Sequence, residues 1–444
     1  MRTIQRAGMA TWYLLFLCLA APWALAAQQD GGWIVPSLPG GVPVVTDTAR
    51  AFITPPPFLS PQPAEGGYTV ATTPPTIDFL FFPGQTHQGA PWSAWGNGCV
   101  YEGKYYCGIG DHILNSYVYE YDPATKQIRL LLDVAAFLKV PSGSYTPGKI
   151  HAFITPGKDG WLYFSTTRGS PRIATAERHF VGDWFIRLQP KTGQAEVLGH
   201  GVGGALSWPA GLLDPQRLIY YAGSQQDLTF LAYDTQARRV RYLSPPQEGP
   251  SRCVLFSGTT GRVYYRTHEV TDGSLHRYDP VTNSVTAIPS DLDPRCASAE
   301  TPQGLIYAID WMGKLWRFNV TTEQSEVIAA APIGKLTYTA SLAVDPTGRY
   351  LYYNCGAHGG TKNEGTPIIQ FDTTTGKKKV IAFLTPFYTD TYAYTCDGTF
   401  SVVISADGAT LFCTWNGSRN GIKGGEVAAM TAIHIPESER PHLP

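Results

Sequence analysis

Seven imperfect copies of one two-strand phrase, each preceded by two further strand-like phrases, predict an all-β fold: a seven-bladed β-propeller of four-stranded antiparallel blades. The fullest copy is "YVYEYDPATKQIRLL", residues 117–131. Its first part alternates like a strand, Asp122-Pro123 with Thr125 is turn chemistry, and "QIRLL" returns as a second strand. Echoes follow around Gln189, Asp234, Asp279, Asn319, Asp372 and Pro436, at intervals of 40 to 67 residues. All-strand repeats of this period read as one propeller blade each.

The elements come in order along the chain. Residues 1–26 read as a secretory signal: Arg2 and Arg6 open it, "WYLLFLCLAA" is its apolar stretch, and "ALA" precedes a cleavage point before Ala27. The apolar run is too short to span a bilayer, and no later run of 18 apolar residues exists. Residues 27–77, Gly- and then Pro-rich, read as a linker or strap. The propeller is expected over 78–437, with a short tail at 438–444. Within each repeat a turn-then-strand phrase ("GKYYCGIG", "DGWLYFSTT", "QRLIYYAGS", "GRVYYRTHE", "GLIYAIDW", "GRYLYYNCG", "ATLFCTWNG") precedes the two-strand phrase, and another strand precedes that. The four are strands A to D from the axis outward. "VAAFLKV" is short enough to be one helical turn.

Composition bounds the partners. The chain has 444 residues, 43% hydrophobic and 16% charged, with a formal net charge of −1. Such a balance argues against nucleic-acid binding, which rests on clustered Lys and Arg. No membrane partner is expected, and the protein is read as a secreted or periplasmic monomer. Seven cysteines follow the signal; Cys99 with Cys107 and Cys396 with Cys413 are disulfide candidates, against the alternative of buried apolar thiols. Asn319 and Asn416 match glycosylation acceptors.

In antiparallel blades the D–A and B–C loops open on one face, where the A-strand starts also ring the channel. The A-strand starts bring His87, Lys149, His151, Trp208, Arg252 and Arg295; the B-strand ends bring Asp111, His112, Arg168, His268, His358 and Arg419. Tyr392 and Tyr394 precede the last A strand. A cationic, His-rich, aromatic mouth on a near-neutral chain suits an anionic ligand. Each of these residues has a blander alternative as a loop hydrogen-bonding strut, and Trp208, Trp92 and Trp95 as packing.

At His87, "GDH" with His112, and "STTRG" with Arg168, the chain resembles the seven-bladed β-propeller polysaccharide lyases: ulvan lyases, rhamnose–glucuronate lyases and, more distantly, oligogalacturonate lyases. The resemblance implies catalytic roles for His87 and His112, with Arg168 meeting a substrate carboxylate. A third-blade tyrosine, Tyr220 or Tyr221, would share proton transfer; only one of the two can face the channel, and Tyr221 is the candidate. Lys149, His151, Trp208, Arg252, Arg295, His268, His358 and Tyr392 would be substrate contacts. The implied reaction is β-elimination at a uronic acid of an anionic polysaccharide or oligosaccharide, with the carboxylate neutralised by an Arg fork and the proton moved by His or Tyr. No cofactor or metal ligand set is expected, a divalent cation remaining open. The alternatives are a non-catalytic propeller that binds a glycan or protein partner, and a metal-dependent lactonase or hydrolase.

Overall fold

The structure, a computed structural model, describes residues 36–61, 66–85, 92–250, 252–267, 274–419 and 422–441, with side chains in the last stretch described from Val427 on. The expected signal peptide, His87 and His268 lie outside the described residues.

Seven antiparallel sheets form the seven blades. Blade 1 runs Cys99–Tyr101, Lys104–Gly110, Ser116–Asp122 and Gln127–Asp133 from the axis outward; blades 2 to 6 repeat that order. The C–D turn explains the repeated "YDP": the Asp122 side chain accepts from the backbone N–H of Ala124 and Thr125 at 2.9 and 3.3 Å. Asp234, Asn319 and Asp372 each accept from the same two positions in their own copies. Each of these is a side chain imitating a backbone turn. The residue before strand D is left-handed in five copies, Lys126, Arg238, Asn283, Glu323 and Gly376, and in blade 2 Gly193 takes that conformation one position earlier; glycine is the residue best suited to it. In five blades the C–D pairing shifts register at one site near mid-strand, adding twist to the outer edge.

The core lies between blades rather than inside them. Each pair of neighbouring blades shares one apolar cluster, seven in all. The tyrosine doublets of the B strands are divided by the pleat. Tyr105 packs towards blade 7 and Tyr106 towards blade 2; Tyr220 towards blade 2 and Tyr221 towards blade 4; Tyr352 towards blade 7 and Tyr353 towards blade 5. Burying both faces of every blade leaves only the channel mouth and the loops free for other work.

Blade 7 departs from the expectation of seven consecutive four-strand copies. Its strands Tyr394–Ile404, Thr410–Arg419 and Ile422–His434 are completed by Thr76–Phe81 from the N-terminal side, which pairs Phe79 with Thr431. The last repeat looked degraded because its fourth strand is written near the start of the chain. Val45–Thr48 adds a fifth strand outside Thr76–Phe81, and Tyr68–Val70 runs parallel to blade 6's outer strand Lys377–Phe383. Val134–Leu138 forms a short helix whose Asp133 cap accepts from Ala136 N–H. A second helix, Thr385–Tyr392, was not expected; "TPFYTDTY" is too short to show a helical period.

Both proposed disulfides are corrected. All seven cysteines among the described residues are buried and free. Cys99 is opposite Tyr106 and packs towards blade 2, whereas Cys107 packs towards blade 7, so the pleat separates them. Cys396 pairs with Gly417 and Cys413 with Val402, several rungs apart on the ladder. Alkylation in denaturant without reductant is therefore expected to modify all seven, measured by mass spectrometry. A protein that gains alkyl groups only after reduction would contradict this.

Candidate functional site

The mouth is built from A-strand starts and B–C loops. His112 lies just past Lys104–Gly110 with φ 64°, a left-handed conformation unusual for a residue other than Gly. Three contacts hold it there. The Asp111 carboxylate accepts from the N–H groups of Ile113, Leu114 and Asn115 at 2.8 to 2.9 Å. The His112 N–H donates to Gly148 O at 3.0 Å. Gly148 and Gly169 lie so close that a methyl group on Gly148 would come 2.6 Å from Ile113 N, and one on Gly169 would overlap the His112 carbonyl. Gly169→Ala is accordingly expected to cost about 1–3 kcal/mol in thermal unfolding, since overpacking against backbone cannot relax cheaply. A variant with unchanged melting temperature would show the approach to be looser.

Lys149 pairs with Thr167 across an isolated bridge, and its Nζ stands 4.7 Å over the Trp95 ring. The His112 ring is 5.4 Å from the same indole. Burial, with the like charges of Arg252 and Arg168, pulls the Lys149 ammonium down to about 7. Burial and Lys149 bring His112 to about 3, so its imidazole is neutral at neutral pH. His151 rests its Nδ1 3.1 Å from Pro209 O; burial and then Arg252, Lys149 and Arg295 hold it well below the ordinary histidine value.

Arg295, 4% exposed, donates twice to the Tyr338 hydroxyl, at 2.8 and 2.5 Å, and lies over the rings of Tyr338, Trp311 and Phe400. His358 sits exposed on the rim, its ring 5.1 Å from Tyr338, 5.4 Å from Phe400 and 5.8 Å from Trp95. Arg168 is half-buried, its backbone N–H donating to Ser207 Oγ at 3.3 Å. The buried Asp183 ties down this part of the face, accepting from Tyr145, Thr166 and Ser207. Trp95, Asn97, His151, Phe153, Pro209, Arg252, Arg295 and Phe400 line a cavity of about 320 Å³, open solvent included. Among the described residues, the contacts of Lys149, Arg168 and Arg295 are with an indole, a serine hydroxyl and a tyrosine hydroxyl, and none of the three forms an ion pair with a carboxylate. No group of three His, Cys, Asp or Glu among those residues is placed to hold a metal ion.

Of the expected site residues, then, His112, Lys149, His151, Arg168, Arg252, Arg295 and His358 share one face. Three do not. Tyr221 is fully buried between blades 3 and 4, and its hydroxyl donates to Gly261 O, in the A–B turn of blade 4 on the opposite face. Its neighbour Tyr220 is equally buried, bonding Ser165 Oγ, so neither of the pair reaches the channel. Trp208 is 0% exposed in the core between blades 2 and 3. Tyr392 stacks on Phe79 of blade 7's outer strand and donates to Asp47, far out on the strap. Arg419 likewise faces outward, over Phe81 and bonded to Ser37 O. The pleat took Tyr221, and outer strands took Tyr392 and Arg419.

Sequence reasoning missed Tyr338, Trp311 and Phe400 as mouth residues. Tyr338 begins blade 6's A strand and Trp311 follows blade 5's B strand, the same positions that yielded the basic residues. A rule collecting aromatics as well as cations at those positions would have found both.

No family model matches the chain, and no curated protein matches it. Among solved structures, the chain is similar to the WD40 repeats of RRP9, with 10% identity and a TM-score of 0.52, covering 81% of this chain and 97% of that one. U3-55K matches at 10% identity with a TM-score of 0.50, covering 80% and 98%. A chain of the mitotic checkpoint complex matches at 10% identity with a TM-score of 0.51, covering 85% and 95%. At this identity the likeness shows the propeller fold alone.

Proposed function

We propose that the channel mouth is a binding site for the acidic groups of an anionic glycan. One observation carries the reading: Lys149, Arg168, Arg252 and Arg295 gather on one half-desolvated face without carboxylate partners for three of them, walled by Trp95, Trp311, Tyr338 and Phe400. Like charges in a low-dielectric opening repel, and an entering carboxylate or sulfate ester offsets that repulsion with charge-assisted bonds. Aromatic faces suit the apolar faces of sugar rings. An acid entering the mouth raises the Lys149 pKa, so binding near pH 7 takes up a proton. A binding role asks nothing more of the propeller scaffold, and one of the similar solved chains comes from a multi-protein complex. The leader-like residues 1–26 would put such a glycan within reach outside the cell.

β-Elimination at a uronate is the second reading, favoured by the neutral His112 imidazole within the same cationic cluster as Arg168. The arginine would neutralise the carboxylate while His112 accepts the C5 proton. Tyr221 has no part in it, since it lies at the other face. Incubation with uronate glycans separates the two readings. Binding with no rise in ultraviolet absorbance supports the first, whereas unsaturated product that disappears in His112→Ala and Arg168→Ala replaces it with the second.

A further inference from the structure

Lys149 is unlike the other cations of the mouth. Its amine is half-buried against the Trp95 indole and forms no ion pair with a carboxylate among the described residues. The titratable groups around it come from four other elements: Arg168 from the B–C loop of blade 2, Arg252 from blade 4, His112 from blade 1 and His358 from blade 6, with His151 two residues along the chain. None is acidic, and the two guanidinium groups are the charges that act on the amine. An amine desolvated beside other cations loses its proton readily, and the free amine is a nucleophile.

We infer that Lys149 is a carbonyl-reactive amine, condensing reversibly with a small oxo acid whose carboxylate is met by Arg252 and Arg168. The inference rests on the same cationic mouth as the binding reading and gives it a covalent capability. The Nζ lone pair attacks the carbonyl carbon and a C–N bond forms. The carbonyl oxygen leaves as water with the two amine protons, and an imine remains, with no change of oxidation state. Three features of the mouth favour this step. The guanidinium groups supply the carboxylate's counter-charge, the indole walls the amine on one side, and burial followed by the charges of Arg252 and Arg168 brings the Lys149 value to about 7, outweighing the attraction of the indole face for the ammonium. The same chemistry would accept the open-chain aldehyde of an acidic sugar's reducing end.

The test uses the full chain with glyoxylate and cyanoborohydride, which delivers hydride to the imine carbon and fixes it as a carboxymethyl group. Peptide mapping is expected to find that adduct on Lys149 at pH 7 at roughly a hundred times the rate at the exposed Lys158 and Lys335, the larger free-amine fraction being partly offset by the weaker nucleophilicity of a less basic amine. The Lys149 rate should level off above pH 7, while an ordinary lysine keeps gaining up to about pH 10. Propionaldehyde, which has no carboxylate, should label Lys149 at least about tenfold more slowly, one ion pair's worth of positioning. Lys149→Met should lose only that adduct, and mapping the native chain keeps the test valid even if the variant folds poorly. Labelling spread evenly over the lysines, or sparing Lys149, overturns the inference. Glycan binding measured on the same preparation tells the two apart: binding without selective labelling removes the amine chemistry alone, and selective labelling without binding removes the glycan reading alone.

Discussion

Replacing Arg252 by alanine is expected to weaken binding of an anionic glycan by about 30- to 1,000-fold, equivalent to about 2–4 kcal/mol. Arg252 lines the cavity, and it recurs as a cause of the depressed values of Lys149, His151 and His358, so it stands near the middle of the charge cluster. Removing its guanidinium takes away a bidentate donor from a site where water competes poorly. The loss should appear in the affinity and shrink as salt rises, because the charge effect is screened. Arg238→Ala is the matching control: Arg238 pairs with Glu196 on the outer edge of blade 3 and should bind as the wild type does. Equal losses in the two variants would mean that bulk charge rather than the mouth holds the ligand. Arg295 is the weaker choice, because its bonds to Tyr338 also brace blade 5 against blade 6.

Asp78→Ala is expected to destabilise the fold by about 3–5 kcal/mol, the cost of breaking a buried charge network from one side. Asp78 lies on the N-terminal strand that closes blade 7 and is 0% exposed. Its carboxylate accepts from Thr46 at 2.6 Å, Lys126 at 2.9 Å, His434 at 3.0 Å and Tyr121 at 3.2 Å. Those partners belong to the outer strap, the blade 1 hairpin and the last strand of the chain, so one carboxylate joins both ends of the propeller to its first blade. Burial alone would raise the Asp78 pKa. Hydrogen bonds from His434, Thr46 and Lys126 outweigh it and hold the carboxyl well below the usual carboxylate range. The sign for stability follows. Folding makes this proton easier to lose, so the contribution is fully present above the unfolded value of about 3.9 and is lost as pH falls below it. Urea unfolding at pH 7 should show the full difference between wild type and Asp78→Ala, and the gap should narrow below pH 4. A constant gap across that range would mean that the alanine acts through packing instead of charge.

Much of this architecture can be read from the chain because each blade is local. Turn chemistry at Asp122, Asp234 and Asp372 and the alternating tyrosine doublets are decided by neighbours within a few residues. The closure of blade 7 is different in kind. Thr76–Phe81 is separated from its partner strand by nearly the whole chain, and nothing near residue 434 announces where its outer strand will come from. The mouth divides along the same line. A position at the start of an A strand or the end of a B strand is legible, and it brings Lys149, Arg168, Arg252 and Arg295 to one face. The direction of a side chain is legible only if the pleat is counted from a fixed point. Counting from Asp234, opposite Ile219, sends Tyr221 into the blade 3–4 core. Trp208 escaped the count because the residues before Ala210 form no regular strand. The doubled cysteines misled for a related reason: equal spacing along two strands does not place two thiols on one face.

The most direct measurement is calorimetric titration of the full chain with polygalacturonate and with the same polymer after its carboxylates have been reduced to alcohols. The account predicts binding to the acidic polymer that takes up protons near pH 7 and weakens with ionic strength, and no binding to the reduced one. Equal affinity for the two polymers, or indifference to both them and sulfated glycans, would contradict it.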